Sequence, residues 1–357
     1  MYFKQFLDER HGCASYLLAS RQTGEAAVID PALATEQYDA ILRERGFTLH
    51  YVIDTHIHAD HVSGARRLAT AHNAELCLHE TAEVAYPFRA LHDEETLALG
   101  SLQLSVLHSP GHRRELITLL ISNLARSADP ELVLTGDALL VGDAGRPDFG
   151  GGDAAAQHGT LARLLALPEW VAVFPGHFEG PCATGMEGRP VTTVGFERRH
   201  NRLAALDRGA FVAALTASVP ARPLNMVAIE ATNRGLAEQS WAMPCGTPAV
   251  AEIGGAELAA QLPSPHASIL LDVREPEEYG GGHVPGAVNL PQAELAWRLG
   301  ELDISSPYLL ICEGGQRSLR AAQFLKQVGF ARVTNVRGGM AAWRASGRAM
   351  DASEMGR

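Results

Sequence analysis

The feature that most constrains this chain is a run of metal-ligand side chains placed directly after a strand. Thr55-His56-Ile57-His58-Ala59-Asp60-His61 carries three imidazoles and a carboxylate, and the apolar segment Tyr51–Ile53 ahead of it reads as a strand. Three further strand-like segments end in the same way, in Ser109-Pro110-Gly111-His112, Thr135-Gly136-Asp137 and Phe174-Pro175-Gly176-His177. Four strand-to-loop junctions that each deliver an imidazole or a carboxylate describe a metal site at one sheet edge. The glycine ahead of His112, Asp137 and His177 lets the backbone turn sharply, so that each side chain points inward. A capping or core role would account for one such histidine, but not for seven residues in this arrangement.

Around these junctions, short apolar runs alternate with polar turns over the first 180 residues. Strands are expected at Tyr16–Ala19, Ala26–Ile29, Glu75–Leu78, Leu102–Leu107, Leu116–Ile121, Leu132–Leu134 and Val171–Phe174, with a helix over Glu36–Arg45 stopped by Gly46. That pattern suggests two sheets with helices packed outside them. From Phe196 to about Met243 the pattern turns helical and then irregular. Pro220, Pro223, Pro244 and Pro248 punctuate a linker around Cys245-Gly246, which places a domain boundary between residues 1–245 and 246–357. Beyond it, the helix Ala256–Leu262, the strands Ile269–Leu271, Leu309–Ile311 and Val333–Asn335, and the helix Ser318–Val328 alternate as in a doubly wound parallel sheet. The fold class expected is therefore α/β, with a smaller doubly wound domain second.

A length of 357 residues already favours two domains. The chain is 46% apolar and 20% charged, which excludes intrinsic disorder. Its net charge of -11 argues against nucleic acid or an anionic membrane as the main partner. No apolar run reaches membrane-spanning length. The N-terminal Met1–Gln5 enters a strand-like pattern without signal or transit character. Five scattered cysteines do not make a disulfide framework. A reducing, cytoplasmic setting is the expectation.

Leu309–Ile311 runs into Cys312-Glu313-Gly314-Gly315-Gln316-Arg317-Ser318, with a helix behind it. A cysteine in a glycine-bearing loop that opens a helix sits among converging N–H groups, and the positive helix end and Arg317 favour its thiolate. A phosphate-handling loop needs room for a tetrahedral anion. The four residues between Cys312 and Arg317 form a shorter cradle, suited to a single sulfane sulfur carried as a persulfide on Cys312.

The His56-x-His58-x-Asp60-His61 motif resembles the metallo-β-lactamase superfamily. Together with Thr135-Gly136-Asp137-Ala138-Leu139-Leu140, it is similar to that superfamily's glyoxalase II and persulfide dioxygenase branch over about residues 1–245. The resemblance implies an αββα sandwich. A glyoxalase II would use all seven ligands for two metals, whereas a persulfide dioxygenase implies one Fe(II) on His56, His112 and Asp137, with His58, Asp60, His61 and His177 as a second metal site or a surrounding shell. The sequence leaves nuclearity open. Gly145-Arg146-Pro147-Asp148-Phe149 resembles the dioxygenase motif GRTDF, and Arg146 is a candidate to bind a carboxylate of a thiol substrate such as glutathione. The family's usual Thr after the PGH histidine is Arg113 here, and the usual Tyr after the last histidine is Phe178. The segment Phe178–Gly185 is more similar to rhodanese-fused bacterial members. Cys182, five residues beyond His177, is a candidate to face the site.

Residues 250–350 resemble a single rhodanese domain, through Leu271-Asp272-Val273-Arg274, Glu277-Glu278-Tyr279, Gly282-His283-Val284-Pro285-Gly286-Ala287-Val288-Asn289 and Gly338-Gly339-Met340-Ala341-Ala342-Trp343. The resemblance implies Cys312 as sulfur-carrying nucleophile, Arg317 beside it, and Gly314, Gly315 and Gln316 as the substrate cradle. Asp272, Arg274 and Glu277 are read as scaffold, with an exposed ion pair that does little for stability.

The two resemblances together imply a bifunctional sulfur enzyme. One domain would oxidise a low-molecular-weight persulfide with Fe(II) and O2 to sulfite, and the other would transfer sulfur among thiosulfate, glutathione and sulfite. The alternative is a zinc thioester hydrolase of glyoxalase II type fused to a rhodanese domain. Oligomeric state (a homo-oligomer included), carrier thiol and direction of sulfur flow stay open.

Overall fold

The computed structural model describes residues 1–8, 12–180, 182–217, 219, 226–236, 250–262, 268–295 and 298–351. The linker around Cys245-Gly246, and with it the boundary at 245/246, lies outside the described residues. The chain divides into two compact units, Met1–His58 with Ser63–Arg222, and Ala59–Val62 with Pro223–Arg357.

The first unit is built on two six-stranded sheets. One runs β1 (Tyr2–Asp8), β2 (Cys13–Ala19), β3 (Glu25–Ile29), β4 (Thr48–Ile53), β5 (Glu75–His79) and β6 (Arg89–Leu91) in spatial order. The other contains β7 (Thr96–Leu99), β8 (Leu102–His108), β9 (Ile117–Asn123), β10 (Pro130–Gly136), β11 (Ala172–Pro175) and β12 (Thr192–Thr193), ordered β12-β11-β10-β9-β8-β7. Alternate residues of both sheets meet in one core. Tyr16 and Leu18, Ala27 and Ile29, Leu102, Leu104 and Val106, and Leu132 and Leu134 all enter it, as the two-residue period of a strand requires. The opposite face of the second sheet, through Val133 and Val173, is covered by Leu161 and Leu164 of the helix Ala154–Leu165 and by Phe211 and Leu215. The helix Ala65–His72 packs on β4 and β5. Sheets inside and helices outside make the expected αββα sandwich.

The helix Glu36–Arg45 ends where expected, with Gly46 left-handed at φ 67°. The helix Ala154–Leu165, the short strands β6, β7 and β12, and the full length of β1 go beyond the sequence reading.

The second unit holds a five-stranded sheet of β13 (Ala251–Ile253), β14 (Ile269–Asp272), β15 (Val288–Asn289), β16 (Tyr308–Ile311) and β17 (Val333–Val336), ordered β13-β17-β16-β14-β15. Every pairing is parallel. Leu309 and Ile311 join Leu258, Met340 and Trp343 on one face. Leu310, buried between them, points to the other face, and the helix Gln316–Gln327 lies along β16 and β17. Buried β16 thus delivers the residue that follows it, Cys312, toward the start of that helix. Among the described residues, no helix is long and apolar enough to cross a membrane.

Candidate active sites

The metal-ligand run leaves the end of β4 and is anchored before its first histidine. Asp30, at the end of β3 with φ 50°, accepts the backbone N–H of Thr55 at 2.6 Å and its hydroxyl at 2.8 Å. With that proton spent on a carboxylate, Thr55 Oγ1 can only accept from His56 Nδ1, 2.9 Å away. The hydrogen bond puts the His56 proton on Nδ1 and leaves Nε2 with a lone pair. His112 is set in the same way, since its Nδ1 lies 2.8 Å from the Arg146 carbonyl, which can only accept.

Both free nitrogens converge on one carboxylate oxygen. Asp137 Oδ2 lies 3.9 Å from His56 Nε2 and 3.5 Å from His112 Nε2. It has no hydrogen-bond partner among the described residues although it is fully buried. A buried carboxylate oxygen left without a donor is costly unless a cation takes that place. The other oxygen, Oδ1, accepts from His177 Nδ1 at 2.8 Å.

Protonation states agree with metal binding. Burial pushes His112 down to about 4, and burial with the neighbouring His58 holds His56 well below the usual histidine range. Burial pushes the Asp137 carboxyl up, but His177, His112 and His56 outweigh it and hold the group well below the usual carboxylate range. The result is two neutral imidazoles and one ionised carboxylate, the set that binds a divalent metal and leaves coordination positions open.

Of the remaining predicted residues, His177 and Cys182 offer ligand atoms within 4.8 Å of one another and of one from Asp137. His58 Nε2 lies 3.3 Å from Asp30 Oδ1, and His61 Nδ1 lies 2.8 Å from Asp60 Oδ2. The glycines before the ligands serve two ends. Gly111 and Gly136 take positive φ of 150° and 49°, as expected of a sharp turn. Gly176 is needed for closeness instead, because a Cβ there would sit 2.9 Å from Asp137 Oδ1.

Arg146 is buried, and its guanidinium holds Asp148 in two hydrogen bonds of 2.7 and 2.9 Å. It lies over the Phe149 ring at 4.8 Å, and Arg113, also fully buried, lies over the same ring at 4.8 Å. The loop Gly145–Phe149 therefore contributes the carbonyl that orients His112, with the Arg146–Asp148 pair fixing it. Asp30 and Thr55 anchor the run, a role the motif reading did not assign them. Their signal was present in Asp30-Pro31 at a strand end and in the threonine that opens the run.

The cysteine loop is compact. Cys312 is buried, and its Sγ receives the Gly315 N–H at 3.1 Å and lies 3.3 Å from Ser318 Oγ. Gly315 adopts φ 88° at the N-cap of the helix Gln316–Gln327. Behind the loop, Met340 N–H and Ala341 N–H donate to the carbonyls of Cys312 and Glu313 at 2.8 and 3.0 Å. The approach is so close that a Cβ on Gly339 would sit 2.1 Å from the Cys312 oxygen. Gly314 and Gln316 are exposed at the mouth of the loop. Arg317 is engaged by Glu278 in two hydrogen bonds of 2.7 and 2.6 Å, which holds Glu278 down to about 2.

One expectation is overturned. The Asp272–Arg274 pair is not exposed. Both residues are buried, joined at 2.7–3.0 Å, with Arg274 also donating to the Gly282 carbonyl. Asp272 closes β14, and the Gly282 carbonyl and the Glu313 carboxylate, 2.9 and 3.6 Å from the guanidinium, help to enclose the pair.

Comparison with known proteins bears on family and fold. The metallo-beta-lactamase superfamily model matches residues 8–120, and the rhodanese-like domain model matches residues 255–346. The mitochondrial persulfide dioxygenase ETHE1 of Bos taurus is 30% identical over 211 residues, covering 58% of this chain and 78% of the relative. The chain also matches beta-lactamase hydrolase-like proteins of Xylella fastidiosa at 31% identity, and spans about half of their length, 54%. The crystal structure of ETHE1 from Myxococcus xanthus superposes with a TM-score of 0.58 at 30% identity, covering 66% of this chain and 99% of that one. A metallo-beta-lactamase structure from Staphylococcus aureus reaches a TM-score of 0.73 at 27% identity over 94% of this chain and 98% of its own. The chain belongs to the metallo-β-lactamase superfamily, in the branch of the ETHE1 persulfide dioxygenases, and carries a rhodanese-like domain on its C-terminal side.

Proposed function

We propose that this chain is a bifunctional sulfur enzyme, with a persulfide dioxygenase in residues 1–245 and a sulfurtransferase in residues 246–357. The single observation that carries the first activity is the convergence of His56 Nε2 and His112 Nε2 on the unpartnered Asp137 Oδ2. Two imidazoles and a carboxylate with open positions are the donor set of oxygen-using ferrous sites. Fe(II), when bound there, supplies the redox chemistry that joins O2 to the outer sulfur of a thiol persulfide. The protein's part is to keep both imidazoles neutral and oriented, through Thr55 and the Arg146 carbonyl, and to keep Asp137 ionised. Overall, a thiol persulfide, O2 and water give the thiol, sulfite and two protons. Glutathione persulfide is the substrate the family likeness favours.

In the second activity, the Cys312 thiolate attacks the outer sulfur of thiosulfate. The S–S bond breaks, sulfite leaves with the electron pair, and Cys312 becomes a persulfide. Passage of that sulfur to glutathione, or the reverse reaction with sulfite, regenerates the thiolate. The Gly315 N–H aimed at Sγ supports the thiolate that attacks and that is regenerated. The cytoplasm is the proposed compartment.

A zinc thioester hydrolase remains the rival for the first site, because the glyoxalase II likeness would draw on His58, Asp60, His61 and His177 as further ligands of a dinuclear centre. Oxygen uptake by anaerobically prepared, iron-loaded protein on addition of glutathione persulfide decides between them. Rapid uptake with sulfite as product is expected. No uptake with glutathione, cysteine or coenzyme A persulfides, with thioester hydrolysis by the zinc form, would establish the rival.

A further inference from the structure

Behind Cys312 lies a buried polar chain that the sulfur-transfer reading has not used. Ser318 Oγ stands 3.3 Å from Cys312 Sγ and 2.7 Å from Asn335 Oδ1. Asn335 Nδ2 lies 2.8 Å from Glu252 Oε2 and 3.2 Å from the Gly315 carbonyl. Cys312, Ser318 and Asn335 are all at most 1% exposed. The two groups facing Asn335 Nδ2, a carboxylate and a carbonyl, can only accept, so they fix the amide orientation and occupy both of its protons. Asn335 Oδ1 is then an acceptor, and the short 2.7 Å contact assigns the resting Ser318 proton to it.

We infer that Ser318 is a positioning residue for the Cys312 sulfur, with one hydroxyl proton that rests on Asn335 while the sulfur is a protonated thiol and turns to Sγ when the sulfur carries charge. In the thiol state, Ser318 Oγ still has a lone pair to accept Cys312 S–H. When that proton leaves, rotation about the Ser318 Cβ–Oγ bond converts the same contact into a donor to the anion. Sulfur then has one fixed donor, the Gly315 N–H at 3.1 Å, and one that follows its charge. The cation nearest in sequence, Arg317, is hydrogen-bonded to Glu278 and acts on Cys312 through space only. Hydrogen bonds to charged groups are stronger than those to neutral ones, so the hydroxyl favours the thiolate over the thiol.

The inference rests on Cys312 as the sulfur-carrying nucleophile, yet its test does not depend on turnover. Alkylation of Cys312 in the full-length chain by iodoacetamide, followed on the Cys312 peptide by mass spectrometry, reports thiolate directly as pH is varied. In Ser318→Ala the midpoint of the pH–rate curve moves up, and alkylation at pH values below the midpoint falls by about ten-fold. Ser318→Thr, which keeps the hydroxyl, restores the wild-type midpoint. An unchanged or lowered midpoint in Ser318→Ala overturns the inference. So does an equal shift in the Ala and Thr variants, which would assign the effect to packing. A wild-type chain with no sulfurtransferase turnover but an intact Ser318→Ala shift would sink the functional reading and leave this one standing.

Discussion

The two sites reach their chemistry by opposite routes. The proposed metal centre gathers His56, His112 and Asp137 from three chain segments, and groups distant in the chain help to hold each of them: Asp30 through Thr55, the Arg146 carbonyl, and His177. The sulfur loop is one contiguous stretch, and its first support, the Gly315 N–H, comes from three residues away. A site assembled from distant strands depends on the whole sandwich, whereas a loop that opens a helix inherits its donors from local geometry. The difference teaches that ligand type predicts the first kind of site, and backbone conformation predicts the second.

The largest test of this contrast is a pair of substitutions. Asp137→Asn is expected to abolish stoichiometric metal binding and persulfide-dependent oxygen uptake while thiosulfate sulfurtransferase activity persists. Cys312→Ser should do the reverse. Loss of oxygen uptake in Cys312→Ser would mean that this cysteine delivers substrate to the metal. Next in size is the buried ion pair under the sulfur loop. Arg274→Met leaves Asp272 buried without its partner, and the thermal unfolding transition that carries the second unit should lose about 3–5 kcal/mol. A loss under about 1 kcal/mol would show that the pair behaves as an exposed one. The smallest effect is expected at Thr55→Val, which removes the acceptor of His56 Nδ1 but no ligand. Metal affinity, measured by chelator competition, should fall by about 10–100-fold, and an unchanged affinity would mean that His56 needs no such guidance.

Much of this was legible beforehand, for physical reasons that differ by residue. The ligands stood out because imidazoles and carboxylates follow strands at glycine turns, and Cys312 because Gly314 and Gly315 follow it. The helix Ala154–Leu165 escaped because Gln157 and Thr160 lie on its buried side beside Leu161 and Leu164, which blurs the apolar period. Arg146 reads as a candidate substrate-facing cation and Arg317 as a support for the Cys312 thiolate, and a sequence does not show that Asp148 and Glu278 also engage them. The exposure expected for Asp272 and Arg274 failed for a similar reason. Charged pairs two residues apart look like surface until a loop closes over them.

The glycine turn behind the sulfur loop has a further consequence. Met340 and Ala341 take the carbonyls of Cys312 and Glu313 from the rear, so the peptide planes of the loop are held before any sulfur arrives. A carrier must pass between thiolate and persulfide in every cycle, and each passage moves negative charge from one sulfur to the next. With its dipoles already set, the loop meets both charge distributions at low reorganisation energy. In the proposed sulfur transfer, Gly339, which lets these carbonyls approach so closely, thus bears on how fast sulfur is handed on.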